Sequence, residues 1–128
     1  AGEHPSPVQA LHLGTLERLG RLDLVEGDHE VAPGVSMLHA PGESAGHSVV
    51  RVHSGGESFY FLGDLFHHTC EVEHLDWISP GRDRDLARAS RSRILAEATA
   101  GRSTLVFSHR PFPGWGQVVR TGAGYRWE

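Results

Sequence analysis

Several large classes of protein are excluded by what this sequence lacks. It has no long apolar run, so no membrane-spanning helix is predicted. Its formal net charge is −4 with histidine neutral, which gives no general electrostatic reason to bind nucleic acid or an anionic membrane. Its single cysteine, Cys70, excludes an internal disulfide and suits a reducing compartment. The first ten residues lack the basic-then-apolar order of a signal peptide, so we expect a cytoplasmic protein.

Histidine and glycine, by contrast, are plentiful. The chain has 10 histidines and 16 glycines in 128 residues. Histidine is the commonest metal ligand in proteins and carries protons near neutral pH, and glycine permits close turns around a site. The apolar fraction of 38% and the charged fraction of 22% are typical of a globular protein, and we predict a single domain spanning residues 1–128.

The hydrophobic pattern predicts a mixed α/β (α+β) protein. Ser6 and Gln9 form a capping box that begins a helix ending near Gly20. A second helix is predicted over residues 84–99. Alternation and turn signals predict strands over residues 30–32, 35–40, 47–53, 58–62 and 104–108, and a small hairpin over 117–121 and 125–127 that turns at 122–124. Because neighbouring strands follow one another closely, we expect a mostly antiparallel sheet with helices on one face.

Three of the predicted strands are each followed at once by charged or imidazole side chains. The three segments read LHAPGESAGH (38–47), FLGDLFHH (61–68) and VFSHRPFPG (106–114). Strand ends at one edge of a sheet can bring Glu43 or His47 together with Asp64 and His109. Carboxylates and imidazoles are ligands for zinc and other first-row metals. The sequence therefore predicts a metal site at this edge.

The segments PGESAGH, FLGDLFHH and SHRPFPGWG resemble the later motifs of metallo-β-lactamase-fold hydrolases, in particular the lactonase and organophosphate-hydrolase-like branch. The resemblance extends from about Leu19 to Trp127 and implies that the chain is the C-terminal half of an αββα sandwich. It also implies zinc, one or two ions in a complete protein. The implied ligands are Glu43 or His47, Asp64 and His109.

Two departures from the family pattern affect this implied site. The His-x-His-x-Asp-His segment is absent, and we expect the N-terminal half of the fold to be missing. Glu43 stands where the family has a histidine ligand, and we expect it to approach Asp64 and His109 more closely than His47 does. The residues also allow simpler roles: Glu43 could stabilise its own loop, His47 could bond main chain across that loop, and Asp64 could cap a turn.

The resemblance implies hydrolysis of an ester, lactone or phosphotriester by metal-bound hydroxide. Asp64 would bridge two ions, and His67 or His68 would line the substrate pocket or orient a ligand. With one half of the site missing, we expect the chain alone to be inactive. The alternative is a non-catalytic remnant or binding module of the same fold with no complete metal site.

Two other metal-binding hypotheses have less support. A separate zinc site could be formed by His67, His68, Cys70 and His74, but their spacing matches no closed four-ligand pattern. A histidine-rich barrel of the cupin type requires two histidines separated by a single residue, and the chain has no His-x-His pair.

The predicted sheet presents more apolar surface than its helices can cover. We predict that the face needing a cover includes Val49, Val52, Phe59 and Phe61. The chain is therefore expected to form a homodimer or to bind an N-terminal half-fold partner, in addition to a small-molecule substrate. The arginines between residues 82 and 93 alternate with acidic residues and are interpreted as a solvated helix face, not a nucleic-acid surface.

Overall fold

A computed structural model describes residues 6–122 and 124–128. The part of the chain that it describes contains two helices, eight strands and one 3₁₀ turn. In chain order these are α1 (Pro7–Arg18), β1 (His29–Ala32), β2 (Val35–His39), β3 (Ser48–Ser54), β4 (Glu57–Phe61), the 3₁₀ turn (Thr69–Val72), α2 (Arg84–Ala100), β5 (Thr104–Val106), β6 (Trp115–Gly116), β7 (Val118–Arg120) and β8 (Tyr125–Trp127). None of the helices described is long and apolar enough to cross a membrane.

Most of the predicted elements are confirmed to within two residues at each end. The capping box of α1 is present: Ser6 N donates to Gln9 Oε1 (2.8 Å), and Gln9 N donates to Ser6 Oγ (3.3 Å). The strand β6 was not predicted, because two residues between prolines and glycines carry no periodic signal. The predicted turn at 122–124 includes Ala123, which lies outside the described residues.

Six strands form one sheet in the order β1-β2-β3-β4-β5-β6, and β7 and β8 form a separate hairpin. Strands β4 and β5 are parallel, whereas the other neighbours in both sheets are antiparallel. The crossover between β4 and β5 carries the long loop of residues 62–83 and then α2, as a parallel connection requires. The predicted α/β class with a mostly antiparallel sheet is confirmed.

One face of the sheet is buried under α2. The cross-strand partners Leu38 and Val49 lie on this face, as do Tyr60 and Leu105, and all four are at most 4% exposed. From α2, the side chains of Ile94, Leu95 and Ala98 pack into the same cluster. Since Val49 belongs to this buried face, its predicted place on the open face is wrong. Residues 49 and 52 point to opposite sides because side chains alternate along a strand.

The buried side of α2 includes an arginine and leaves out a leucine. Leu86 is 46% exposed, and Arg91 is only 1% exposed. Arg91 lies one turn from both Ala87 and Ile94, so its side chain starts on the buried side and reaches under the loop that precedes the helix. The arginines between 82 and 93 are therefore not a uniformly solvated face.

The opposite face of the sheet is apolar and open among the described residues. Val52 pairs with Phe59, and Val50 pairs with Phe61, which places these four side chains in two adjacent rows. Val52, Phe59 and Phe61 are 38%, 38% and 42% exposed. Helix α1 buries none of its residues and does not cover this face.

Candidate metal centre

Asp64 and His109 reach the same place because of the parallel pairing of β4 and β5. Phe61 is the partner of Val106 in this pairing, so the two strands end side by side. Asp64 follows Phe61 by three residues, and His109 follows Val106 by the same number. Equal offsets beyond parallel strand ends bring the two side chains to one edge of the sheet.

Short contacts join the two loops at this edge. Ser108 Oγ donates to Gly63 O at 2.8 Å, and His109 Nε2 lies 2.9 Å from Asp64 Oδ1. The side chains of His109 and Asp64 are 49% and 47% exposed, so the pair is open to solvent. The expectation that Asp64 and His109 meet at one sheet edge is confirmed.

His67 completes a cluster of three possible ligands. One ligand atom from each of Asp64, His67 and His109 lies within 4.8 Å of the others, and this is the one group of three or more metal-ligating side chains among residues 6–122 and 124–128. The rings of His67 and His109 have centroids 4.4 Å apart. A carboxylate with two imidazoles and an open side is the donor set of a catalytic zinc ion.

The spacing of these atoms suits a first-row metal ion. Two ligand atoms on one tetrahedral zinc ion lie about 3.3 Å apart, because each bond is roughly 2.0–2.1 Å long. The 2.9 Å between His109 Nε2 and Asp64 Oδ1 is close to that separation. Asp64 and His109 therefore fit one zinc ion, and the ligand atom of His67 lies within 4.8 Å of both.

Arg82 contacts both nitrogens of the His67 ring. Its two terminal nitrogens lie 3.2 Å from Nδ1 and 3.3 Å from Nε2 of the imidazole. A metal ion bound by His67 would replace one of these two contacts. Burial lowers the pKa of His67, and the charges of Arg82 and His109 lower it further. These effects favour the neutral form of the ring, which is the form that binds metals.

Residues 2–109 match the Metallo-beta-lactamase superfamily, which is more than half of the chain. The chain belongs to this family. Among its relatives, an N-acyl homoserine lactonase from Bacillus cereus is 29% identical over 86 residues, which cover 67% of this chain.

Solved structures of metallo-β-lactamase-fold proteins match most of the chain. The fold is similar to that of AidC, described as a dizinc quorum-quenching lactonase in complex with a product, with a TM-score of 0.73, 25% identity and 92% of this chain covered. A probable metal-dependent hydrolase from Staphylococcus aureus superposes with a TM-score of 0.71 at 22% identity over 86% of the chain. The chain matches only 34% of the length of the Bacillus cereus relative, 45% of AidC and 41% of the Staphylococcus aureus protein.

In this metallo-β-lactamase superfamily domain, Glu43 lies outside the cluster of three. Its carboxylate forms a salt bridge with Arg82, the residue whose guanidinium contacts the ring nitrogens of His67. Its loop is held against α2, because Ser90 Oγ donates to Pro41 O at 2.7 Å and a side chain at Gly42 would collide with the main chain of Ala87. The expected role of Glu43 as a metal ligand is not supported by these contacts.

His47 also lies outside the cluster, because main chain occupies both of its ring nitrogens. Nδ1 donates to Ala40 O at 3.0 Å, and Nε2 accepts from Asp64 N at 3.1 Å. This pattern requires the neutral Nδ1–H tautomer and leaves no lone pair for a metal ion. We also expected Glu43 to lie closer to Asp64 than His47 does. This expectation is not supported, because His47 contacts Asp64 directly. His47 instead fixes the main chain from which the Asp64 side chain projects.

His68 and Cys70 interact with each other and not with the cluster. His68 Nδ1 accepts from Cys70 N at 3.2 Å and lies 3.1 Å from its Sγ, so His68 caps the 3₁₀ turn. His74 stacks on Trp77 with ring centroids 4.0 Å apart. The placement of His68 does not support a catalytic role, and the separate zinc site with Cys70 and His74 is not assembled.

The residues that hold the His67 loop in place were not predicted from the sequence. Glu71 Oε2 accepts hydrogen bonds from His67 N at 3.1 Å and from Arg91 Nη2 at 2.6 Å. Arg91 also donates to Leu65 O at 2.9 Å. The single sequence signal was the place of Arg91 on the buried side of an amphipathic helix, where an arginine needs partners.

Proposed function

We propose that this chain is part of a metal-dependent hydrolase that uses zinc to cleave an ester or lactone bond, with a phosphotriester as the related alternative substrate. The observation that carries the proposal is the cluster of Asp64, His67 and His109 at the ends of two parallel strands in a metallo-β-lactamase superfamily domain. The lactonase name of the Bacillus cereus relative supports the choice of a lactone.

The roles of the three residues follow from their chemistry. A bound divalent cation lowers the pKa of water and polarises a carbonyl or phosphoryl oxygen. Asp64 supplies the negative charge that attracts the cation, and His109 supplies a neutral nitrogen beside it. His67, whose pKa is lowered by burial and by the charge of Arg82, supplies the second nitrogen. The half-exposed side chains of Asp64 and His109 leave room for a substrate.

We further propose that the remaining metal ligands come from a His-x-His-x-Asp-His segment outside these 128 residues. The chain matches less than half the length of its relatives, which supports this division. A cytoplasmic location, where the thiol of Cys70 stays reduced, is part of the same proposal.

Turnover of an N-acyl homoserine lactone tests the proposal. We expect the 128-residue chain alone to show no zinc-dependent turnover above a buffer blank. We expect turnover when the reading frame is extended upstream to include a His-x-His-x-Asp-His segment, and its loss on chelation or in an Asp64→Asn variant. An extended, zinc-loaded protein that cleaves neither the lactone nor a phosphotriester would contradict the proposal.

A non-catalytic binding module is the second candidate, and one contact favours it. The carboxylate of Glu43 is engaged by Arg82 and is not available to a metal ion. If this contact persists in the extended protein, the centre would bind metal without the second ion of a dizinc enzyme. Metal binding without turnover in the experiment above would favour this candidate.

The open sheet face supports a proposal about partners. We propose that it is covered by the N-terminal half of the fold or, in its absence, by a second copy of this chain. Leaving several hundred Å² of apolar surface in water costs on the order of 10 kcal/mol at about 25 cal/mol per Å². That is comparable to the whole stability of a small domain.

Light scattering over a dilution series tests whether a second copy of the chain covers the open face. We expect the apparent mass of the chain to exceed 14.0 kDa and to rise with concentration. A Phe61→Gln variant should associate at least several-fold more weakly, because it places an amide in the middle of the open face. Leu11→Gln on the exposed side of α1 is the control and should not change the association. A monodisperse monomer at all concentrations would contradict the proposed cover.

A further inference from the structure

The peptide group between Gly63 and Asp64 is held at both of its ends. Its oxygen, Gly63 O, accepts a hydrogen bond from Ser108 Oγ at 2.8 Å. Its N–H group, which belongs to Asp64, donates to His47 Nε2 at 3.1 Å. Because a peptide group is planar, partners on its two opposite sides fix the direction of the plane. They also fix the point from which the Asp64 side chain leaves the main chain.

The two partners of this peptide group come from the strands on either side of β4. His47 directly precedes β3, and Ser108 follows the last residue of β5 by two positions. Gly63 has a φ of +54°, and a Cβ atom there would lie 3.0 Å from His47 Nε2. The peptide group is therefore turned towards both partners in a backbone conformation that glycine adopts readily and other residues rarely do.

The main-chain hydrogen bonds between β4 and β5 end before the candidate ligands. The last of them joins Leu62 N to Val106 O at 3.0 Å. Past that point no main-chain hydrogen bond joins residues 63–68 to residues 107–114, all of which the structure describes. The hydroxyl group of Ser108 therefore continues the connection between the two strands where the main chain no longer does.

We propose that Ser108 is a positioning residue of the metal centre, which sets the separation of Asp64 and His109 through the Gly63–Asp64 peptide group. Its hydroxyl group belongs to the residue next to one candidate ligand, and its acceptor belongs to the residue next to the other. The two ligand atoms that it aligns lie 2.9 Å apart. The inference rests on the metal centre of the proposed function and adds a residue that orients its ligands without binding the ion.

Zinc affinity in variants of the 128-residue chain, measured by competition with a chromophoric chelator, tests this role. Ser108→Ala removes the donor, and we expect zinc affinity to fall roughly tenfold or more, as it does when a residue that orients a ligand is lost. Ser108→Thr keeps a hydroxyl group and should restore the affinity of the wild type. Ser58→Ala is the matched control and should leave the affinity unchanged, because Ser58 Oγ bonds His53 Nδ1 at 2.9 Å at the opposite end of β4.

Cobalt(II) in place of zinc separates an effect on ligand geometry from an effect on stability. The visible absorption of bound cobalt(II) depends on how its ligands are arranged. At saturating cobalt we expect Ser108→Ala to change the position or intensity of these bands, and Ser108→Thr to show the spectrum of the wild type. Since Ser108 is exposed, metal-free Ser108→Ala should unfold in urea at the same midpoint as the wild type.

The outcomes distinguish the role of Ser108 from the metal centre itself. No zinc bound by the wild type would refute the metal centre of the proposed function and the role of Ser108 with it. Equal zinc affinities and equal cobalt spectra for the wild type and Ser108→Ala would refute the role of Ser108 and leave the metal centre standing. A loss of affinity that Ser108→Thr does not restore, or that Ser58→Ala matches, would also refute it.

Discussion

Replacement of Arg91 by methionine is expected to destabilise the domain by about 3–5 kcal/mol, which is the cost of removing one partner of a buried ion pair. The Arg91 side chain is 1% exposed and donates at 2.6 Å to Glu71, whose side chain is 15% exposed. It also donates to the carbonyl oxygens of Leu65 (2.9 Å), Leu75 (3.2 Å) and Trp77 (2.9 Å). Methionine fills similar volume but leaves the carboxylate and these carbonyl groups without their donor.

Urea denaturation measures this effect as a change in the free energy of unfolding. Arg88→Met on the same helix is the control, and it should change that free energy by less than about 0.5 kcal/mol because surface ion pairs contribute little. A loss of less than about 1 kcal/mol in Arg91→Met would show that Arg91 does not hold the loop of residues 62–83. The same variant should also weaken zinc binding, since Glu71 would lose the partner that orients it towards His67 N.

Asp64→Asn is expected to weaken zinc binding roughly a hundredfold or more. Loss of a residue that only orients a ligand costs about 10–100-fold in metal affinity, so loss of a charged ligand should cost at least as much. Asparagine keeps the shape of the side chain, and the contact of the residue 64 main chain with His47 is unaffected by the change. Stability in the absence of zinc should therefore stay near that of the wild type.

Competition with a chromophoric chelator measures this zinc affinity. His68→Gln is the control, because His68 lies close in sequence but caps the 3₁₀ turn outside the cluster. Equal zinc affinities for Asp64→Asn and the wild type would exclude Asp64 as a ligand. A large loss of zinc affinity in His68→Gln with none in Asp64→Asn would indicate that the metal site lies at His68 and Cys70.

The convergence of Asp64 and His109 could be predicted because it depends on strand ends, which are local features of the sequence. Each of these residues follows an apolar strand directly, and the parallel pairing of β4 with β5 brings the two ends to one edge. The helix boundaries were predictable for the same reason: the capping box at Ser6 and the glycine after α2 are local signals.

The contacts of Glu43 and Arg91 could not be predicted, because they depend on residues far away in the sequence. Glu43 meets Arg82 across 39 positions, and Arg91 meets Glu71 across 20. No periodicity links such pairs, and a long arginine side chain can reach several partners from one position. His67 was predicted to line the pocket or to orient a ligand. Its place among the possible ligands was not predicted, because residues 62–83 form an irregular loop whose course is set by these same distant contacts.

Crystals grown with zinc, with data collected at the zinc absorption edge, test the central claim most directly. The account predicts an anomalous scattering peak bound by a carboxylate oxygen of Asp64, Nε2 of His109 and a ring nitrogen of His67, each at about 2.0–2.1 Å. A peak on His68, Cys70 or His74 would contradict it. So would a structure at saturating zinc in which His109 remains bonded to Asp64 with no ion between them.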